Sequence, residues 1–339
     1  MYSGFNGSQR GFTIVEIMVA MLLGLILMAG VVSLMVGNKR SFNEQTEMSR
    51  LQENARFAMQ FLSSSIRMAG YAGCPGDMAV VASHLDINDK NLLNMVIPID
   101  GYDANSISGR WEASGSAEAV SDMVAGNDAV AVRFFTPPSH DLQSAMSLVS
   151  DNLVATSADG IAERQILAVS DCKSADIFQV TGLTGTATIS HSTAATTSGG
   201  DVLVPGNGVA DLARLYDVGA KLHHLYAARY YIRNNTQGIP ALYRLIHADG
   251  VYTSQELVAG VENMQIMYGD GSSFVPANNV SDWEKVNSVK VGLLVRTEDE
   301  MGIDIDNRTY NVLDQAITAA GDRYRRKVFT TTIELRNRI

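Results

Sequence analysis

Gly11-Phe12-Thr13-Ile14-Val15-Glu16 opens an apolar run that continues to Val36. At ~1.5 Å of rise per residue, a helix over these roughly 25 residues is long enough to span a bilayer. Glu16 is the only charge in the run and lies one turn inside it. An ionisable side chain in hydrocarbon is a functional candidate by default, and its first need is a counterion. Upstream, residues 1–11 form a short polar leader with Arg10 and no acid. A secretory signal peptide has an apolar core of about 7–15 residues and a small-x-small cleavage site. This run is too long for that, and Met35-Val36-Gly37-Asn38-Lys39-Arg40 offers no such site. An ordinary N-terminal anchor explains the length but gives Glu16 and the Gly11-Phe12 junction no purpose. The flanking charge is nearly balanced. Arg10 and the initiator amine favour a cytoplasmic leader, while Lys39 and Arg40 put positive charge on the other side.

Beyond the run the apolar positions take a new spacing. Met48, Leu51, Ala55, Ala58, Leu62, Ile66 and Ala69 follow one another by three or four residues, as on one face of an amphipathic helix. No proline interrupts residues 12–69, and Gly70 is a natural stop. Arg67 puts a cation in the last turn, where the helix dipole favours one. The pattern predicts one helix over 12–69, membrane-spanning over 12–36 and amphipathic over 37–69. Gly24 and Gly30 are six apart, so the small-xxx-small pattern of closely packed helix pairs is absent.

Arg10-Gly11-Phe12-Thr13-Ile14-Val15-Glu16 resembles the type III signal of type IV pilins and pseudopilins. The resemblance implies a cut between Gly11 and Phe12 by a prepilin peptidase, with N-methylation of Phe12 as the mature N-terminus. It also implies that Glu16 neutralises the Phe12 amine of an adjacent subunit and sets the axial register. The physics agrees, because an ammonium and a carboxylate in a low-dielectric core each need a partner.

The chain has 339 residues and a formal net charge of −10, unevenly placed. Residues 1–69 hold six basic and four acidic residues, which leaves twenty basic and thirty-two acidic residues and a net of −12 for the rest. Such an acidic head lacks the basic footprint of a nucleic-acid binder, so no nucleic-acid partner is expected. Arg323, Arg325, Arg326 and Lys327 make a local basic patch, read as a solvated strand start. Cys74 and Cys172 are the only cysteines. In an exported head they meet an oxidising compartment, where a disulfide is reasonable. It would close a loop of about 100 residues, worth ~4.7 kcal/mol in the chain-entropy view. Two separate buried thiols are the alternative. Their spacing matches no metal-ligand pattern.

After Gly70 the helical period fades, and residues 70–339 read as a globular α+β head. Candidate strands cover 127–135, 164–170, 176–181, 221–233, 241–248, 261–268, 286–296 and 327–336, several with alternating polar and apolar residues. Residues 76–126 read as loop-rich, and 182–201 as an exposed loop or hairpin. Short strands divided by turn signals predict a mainly antiparallel sheet. Asp176-Ile177-Phe178-Gln179-Val180-Thr181, Tyr230-Tyr231-Ile232-Arg233, Pro240-Ala241-Leu242-Tyr243-Arg244 and Gly260-Val261-Glu262-Asn263-Met264-Gln265-Ile266 are similar to segments of PilW-type minor pilins. So is the ending Val328-Phe329-Thr330-Thr331-Thr332-Ile333-Glu334-Leu335-Arg336-Asn337-Arg338. The resemblance implies a type IV pilin-like α+β fold, with the long N-terminal helix packed on a mainly antiparallel head.

No catalytic pattern stands out. G-x-S-x-G, Walker and H-E-x-x-H motifs do not occur. Ser170-Asp171-Cys172-Lys173 fits the bare S-x-x-K pattern but falls at a strand end and turn rather than on a helix. His223 and His224 are adjacent in a strand and so point to opposite faces. His84, His140, His191 and His247 show no ligand spacing. Glu298-Asp299-Glu300-Met301-Gly302-Ile303-Asp304-Ile305-Asp306-Asn307 gathers hard oxygens as calcium prefers, yet it does not follow the EF-hand pattern. An acidic, solvated loop is the favoured reading. Tyr230 and Tyr231 read as packing residues, and Trp111 as an aromatic in a polar loop. No catalytic residue, metal or cofactor is expected.

The resemblance implies a non-enzymatic minor pilin that helps prime type IV pilus assembly and supports twitching motility. It would start in the inner membrane with its head in the periplasm and end at or near the pilus tip. Its implied partners are the prepilin peptidase/N-methyltransferase, other minor pilins, the major pilin and a tip adhesin. Two other readings stay open at this point: a J-type pseudopilin of a type II secretion system, and a membrane-anchored periplasmic enzyme or binding protein.

Overall fold

The computed structural model describes residues 11, 13–73, 80–88, 91–104, 122–197, 199–301 and 304–337. They fall into two compact units, Met1–Arg50 and Leu51–Ile339. One helix, Ile14–Met68, is continuous, as the lack of proline allows. Among the described residues it is the one helix long and apolar enough to cross a membrane. In the first unit its large apolar side chains from Ile14 to Val36 are all exposed. An apolar surface of this extent is unstable in water and marks a segment made for lipid or for other helices.

In the second unit the helix buries one stripe. Leu51, Ala55, Ala58, Leu62, Ile66 and Ala69 are all buried, while Met48, the first position of the predicted stripe, is only half-buried. The alanines let the helix approach closely, and polar groups fix its position. Ser65 Oγ and the Tyr230 hydroxyl share a buried hydrogen bond of 2.6 Å. The Asn54 amide donates to the Ala259 carbonyl at 3.3 Å. At the helix end Gly70 takes a φ of 80°, as a glycine stop should, and its N–H donates to the Arg133 carbonyl at 3.0 Å. The Asn337 amide donates to the Met68 carbonyl at 3.4 Å, satisfying one of the last helical acceptors.

The head is built on strand Lys221–Asn234, in which residues 227–232 are buried without a break. A fully buried run needs cover on both faces, which the helix through Tyr230 and a core around Tyr231 provide. The main path of the nine-stranded sheet runs Val80–Ser83, Ser174–Gln179, Ile166–Ser170, Lys221–Asn234, Pro240–Ala248 and Val251–Ala259. The central strand also pairs with Ala129–Phe135 and His140–Asp141, and Ile99–Tyr102 pairs with Ala129–Phe135. Among the described residues, only Val80–Ser83 on Ser174–Gln179 is parallel. A second, wholly antiparallel sheet orders Phe274–Pro276, Val261–Gly269, Ser288–Arg296 and Arg326–Glu334.

Side chains 127 and 128 join the two sheets. Asn127 Oδ1 accepts from the Met264 N–H at 2.8 Å, and Asp128 Oδ2 accepts from the Ile266 N–H at 2.8 Å. Arg133 is fully buried and donates to the carbonyls of Leu92 and Ile97 at 2.5 and 2.7 Å, with Asp100 at 3.4 Å as its counterion. One arginine thereby organises a stretch that has little secondary structure of its own.

The predicted helix and all eight predicted strands are present, with ends within about two residues. Residues 182–201 do begin with a hairpin, Gly182–Thr184 against Thr188–Ser190. Among the described residues of 76–126 the loop-rich reading holds apart from two short strands, Val80–Ser83 and Ile99–Tyr102, which lack alternation. Strand Val251–Ala259 was also not anticipated. Its signal was Asp249-Gly250, whose φ angles of 51° and 79° are both positive, as a tight hairpin turn of the primed type requires.

Candidate processing and assembly site

The first site lies at the start of the long helix. Thr13 precedes the helix as its N-cap, and its hydroxyl accepts from the Glu16 N–H at 3.3 Å. Glu16 Oε2 in return accepts from the Thr13 N–H and the Thr13 hydroxyl, each at 3.0 Å. This is a reciprocal capping box, in which two otherwise orphaned donors of the helix start are satisfied. The T-x-x-E spacing was visible in the sequence, but the role sought for Glu16 lay between molecules and its local role was passed over. The capping holds the carboxylate in a fixed orientation at the helix start. The Glu16 side chain is exposed at the helix start. Gly11 is exposed, and a Cβ added there meets nothing within 4 Å. Phe12 and the leader residues 1–10 lie outside the described residues.

Ser170 ends strand Ile166–Ser170 and Ser174 begins the next, so Ser170-Asp171-Cys172-Lys173 is the turn between them. Asp171 Oδ1 accepts from the N–H groups of Lys173 and Ser174 at 3.0 Å, and the backbone of Cys172 has a φ of 67°. Cys74 lies outside the described residues, as does Trp111. His223 is buried and bonds the Thr136 carbonyl through Nδ1 at 2.8 Å, whereas its neighbour His224 is half-buried on the other face. Burial depresses both imidazoles below the ordinary histidine value, and His140 adds to the effect at His224. His247 is depressed by burial too, against the pull of the Val204 carbonyl.

His84 meets Asp176 at 2.6 Å, and the same carboxylate accepts from the Tyr216 hydroxyl at 2.7 Å and the Ala213 N–H at 3.1 Å. His191 bridges the Ala210 and Asp151 carbonyls, and His140 reaches the Asp159 carbonyl. His84 and His140 each tie a loop to a strand, and His191 ties loops to one another. Among the described residues no three His, Cys, Asp or Glu side chains are arranged to hold a metal ion.

Two readings of the C-terminal region change. Arg326 is not a solvated strand start: its side chain is fully buried and is met by Glu262 at 2.6 Å, Asp322 at 2.6 Å and Asp306 at 3.5 Å. Asp306 is buried as well, so the acidic loop is solvated only in part. Arg308 donates to it at 2.9 Å and Tyr310 at 2.7 Å. The bond from Arg308, then burial acting the other way, then Tyr310, leave its carboxyl well below the usual carboxylate range. Asp306 therefore serves arginines. Glu298, Asp299, Glu300 and Asp304 are exposed, and Gly302 and Ile303 lie outside the described residues. Tyr230 and Tyr231 are buried packing residues, as expected.

Comparison with known families agrees with this placement of features. Residues 229–337, roughly the last third of the chain, match the family described as type IV pilus-assembly protein W. Residues 6–32 match the prokaryotic N-terminal methylation motif. No curated protein and no solved structure matches the chain.

Proposed function

We propose that the chain is a PilW-type minor pilin that primes and joins a type IV pilus; the methylation-motif match over residues 6–32 and the PilW match over residues 229–337 support this reading. Processing between Gly11 and Phe12 would free the Phe12 amine, which is then methylated. The prepilin peptidase/N-methyltransferase is the proposed partner for that step. Residues 12–36 would wait in the inner membrane with the head in the periplasm. The helix would then pass into a bundle formed with other minor pilins and the major pilin. Lipid and bundle are similarly apolar, so the transfer need not expose the exposed row from Ile14 to Val36 to water.

The observation that carries this reading is the capped Glu16. Thr13 orients the carboxylate through Oε2 and holds it on an exposed side chain at the helix start, where a cation from another molecule can reach it. In the bundle that cation is the Phe12 amine of the next subunit. A position at or near the tip beside an adhesin, support of twitching, the bridge Cys74–Cys172 and a leader, helix and head divided at 11/12 and 69/70 are all part of the same proposal. The function is assembly, without turnover of a substrate.

Glu16→Ala tests it. The variant is expected to be cut and membrane-inserted as in the wild type, but to be depleted from sheared surface filaments. Wild-type recovery in filaments, with normal twitching, would refute the role of Glu16. Loss of twitching without loss of protein secretion in a deletion strain separates the pilus from a secretion pseudopilus.

A further inference from the structure

Among the described residues, two sheet edges of the head are nine residues long, Val251–Ala259 and Arg326–Glu334. They are finished differently. Val251–Ala259 carries a bulge opposite Leu242 and Tyr243, a device that twists an edge and discourages further pairing. Arg326–Glu334 keeps an unbroken register on Ser288–Arg296, holds no proline and has no charge from Val328 to Ile333. Among the described residues no strand pairs with its other side. The register shows which groups face out. The Leu335 N–H donates to the Asn287 carbonyl at 2.8 Å, and the Thr297 N–H donates to the Arg325 carbonyl at 2.9 Å. The ladder therefore uses the backbone of the odd-numbered residues and turns the N–H and C=O groups of Val328, Thr330, Thr332 and Glu334 outward. Thr330, Thr332 and Glu334 are exposed. A cavity of about 540 Å³ opens beside the end of the strand, lined by Thr332, Glu334 and Leu335 with Ser288 and Phe274.

We propose that this edge takes up an added strand, an extended segment of a different protein that co-assembles with the chain. The outward backbone groups give such an addition its affinity, and the cavity gives it selectivity by receiving a side chain at the Glu334 end. Lys327 and Glu334, exposed near the two ends of the edge, call for an acid and a base at the matching ends of the segment. A second copy of this chain does not meet that need. Lys327 and Glu334 are seven residues apart and so lie on opposite faces of the sheet. A two-fold antiparallel pairing keeps each face on its own side, so Lys327 of one copy never comes opposite Glu334 of the other. A parallel copy in register sets like charges level with each other. The inference deepens the filament reading above and rests on it.

The experiment uses the full chain in piliated cells. A photoreactive phenylalanine analogue at Thr332 reports what lies against the edge. Thr330→Pro removes one outward N–H and leaves the bonds to Ser288–Arg296 in place, as a proline on an edge strand can. Lys327→Glu with Glu334→Lys reverses the end charges and leaves the backbone untouched. The expected result is an adduct in sheared filaments whose peptide, mapped by mass spectrometry, is an extended run of a different protein with an acid and a base towards its two ends. Either set of substitutions should lower the adduct roughly tenfold, while the purified chains melt as the wild type does. Should the proline variant melt lower, the charge reversal decides. With the wild type present in filaments, an adduct to a second copy of this chain, no protein adduct, or an undiminished adduct in the charge-reversed chain overturns the edge and leaves the filament reading standing. Absence of the wild-type chain itself from filaments overturns both.

Discussion

A Cβ added at Gly11 would meet nothing within 4 Å among the described residues, which place no steric demand on that position. Any intolerance there would belong to the prepilin peptidase proposed to read it. Gly11→Ala should be processed with only a mild defect, whereas Gly11→Leu should accumulate as a slower-migrating precursor whose melting temperature equals that of the uncut wild type. A lowered melting temperature in the Leu variant would show that the fold needs the glycine after all. Glu16 illustrates the opposite case, a residue with a local duty beside the external one proposed for it. Its helix-capping bonds to Thr13 follow from spacing alone and could be read from T-x-x-E. Arg326 could not be read that way. Among Arg323, Arg325 and Lys327 it is the one that is buried, because its partners come from positions 262, 306 and 322. Three carboxylates of such different sequence distance leave no trace in a local pattern.

At the scale of elements, the long helix was the most legible part. Its apolar period gave the buried stripe of the second unit, and Gly70 gave its end. What the period does not show is Ser65, a polar residue inside the stripe that pairs with Tyr230 across 165 positions. The docking is expected to dominate the stability of the helix in the head. Leu62 is fully buried, and Leu62→Ala should lower stability by about 2–5 kcal/mol, the range for emptying a leucine site in a core. Urea unfolding of the purified chain in detergent measures it. A loss well under 1 kcal/mol would mean that the stripe is loosely seated. Strand Val251–Ala259 shows why elements were missed. Its own alternation is weak, and its place is dictated by the Asp249-Gly250 turn and the register on Pro240–Ala248.

At the scale of the whole molecule, acid and base act against each other. Asp128 joins the two sheets, and burial pushes its carboxyl up to about 7, against the pull of the Ala104 and Ile266 N–H groups. The folded head thus binds this proton more tightly than the unfolded chain, and stability from Asp128 rises as pH falls from about 7 towards 4. His223, His224 and His247 are depressed, so they bind protons less tightly when folded. Their contribution is lost as pH falls below about 6.5. Asp128→Asn removes the first effect and leaves the second. The stability of the variant relative to wild type should be highest at pH 8 and should fall by on the order of 3 kcal/mol by pH 4, since a neutral Asp and an Asn are nearly alike. A relative stability that is flat across this range would show that Asp128 does not titrate there. The proposed bridge is a property of the same scale. If Cys74 and Cys172 are joined, replacing both by Ser should cost about 2–5 kcal/mol and abolish the effect of reductant on melting. Equal melting of the wild type with and without reductant would argue for separate thiols.

The sequence by itself determined the long helix, its exposed apolar run, its buried stripe and eight strands of the head. Those features are local: they follow from a period of 3.6 or 2, from a cap, or from the absence of proline, all carried by neighbouring residues. Only the tertiary structure decided which charges are buried and what they serve. Arg133, Arg326, Asp128 and Asp306 look like any surface residue in the chain. Their roles arise where distant segments meet, because a charge can be buried only when remote partners arrive to receive it.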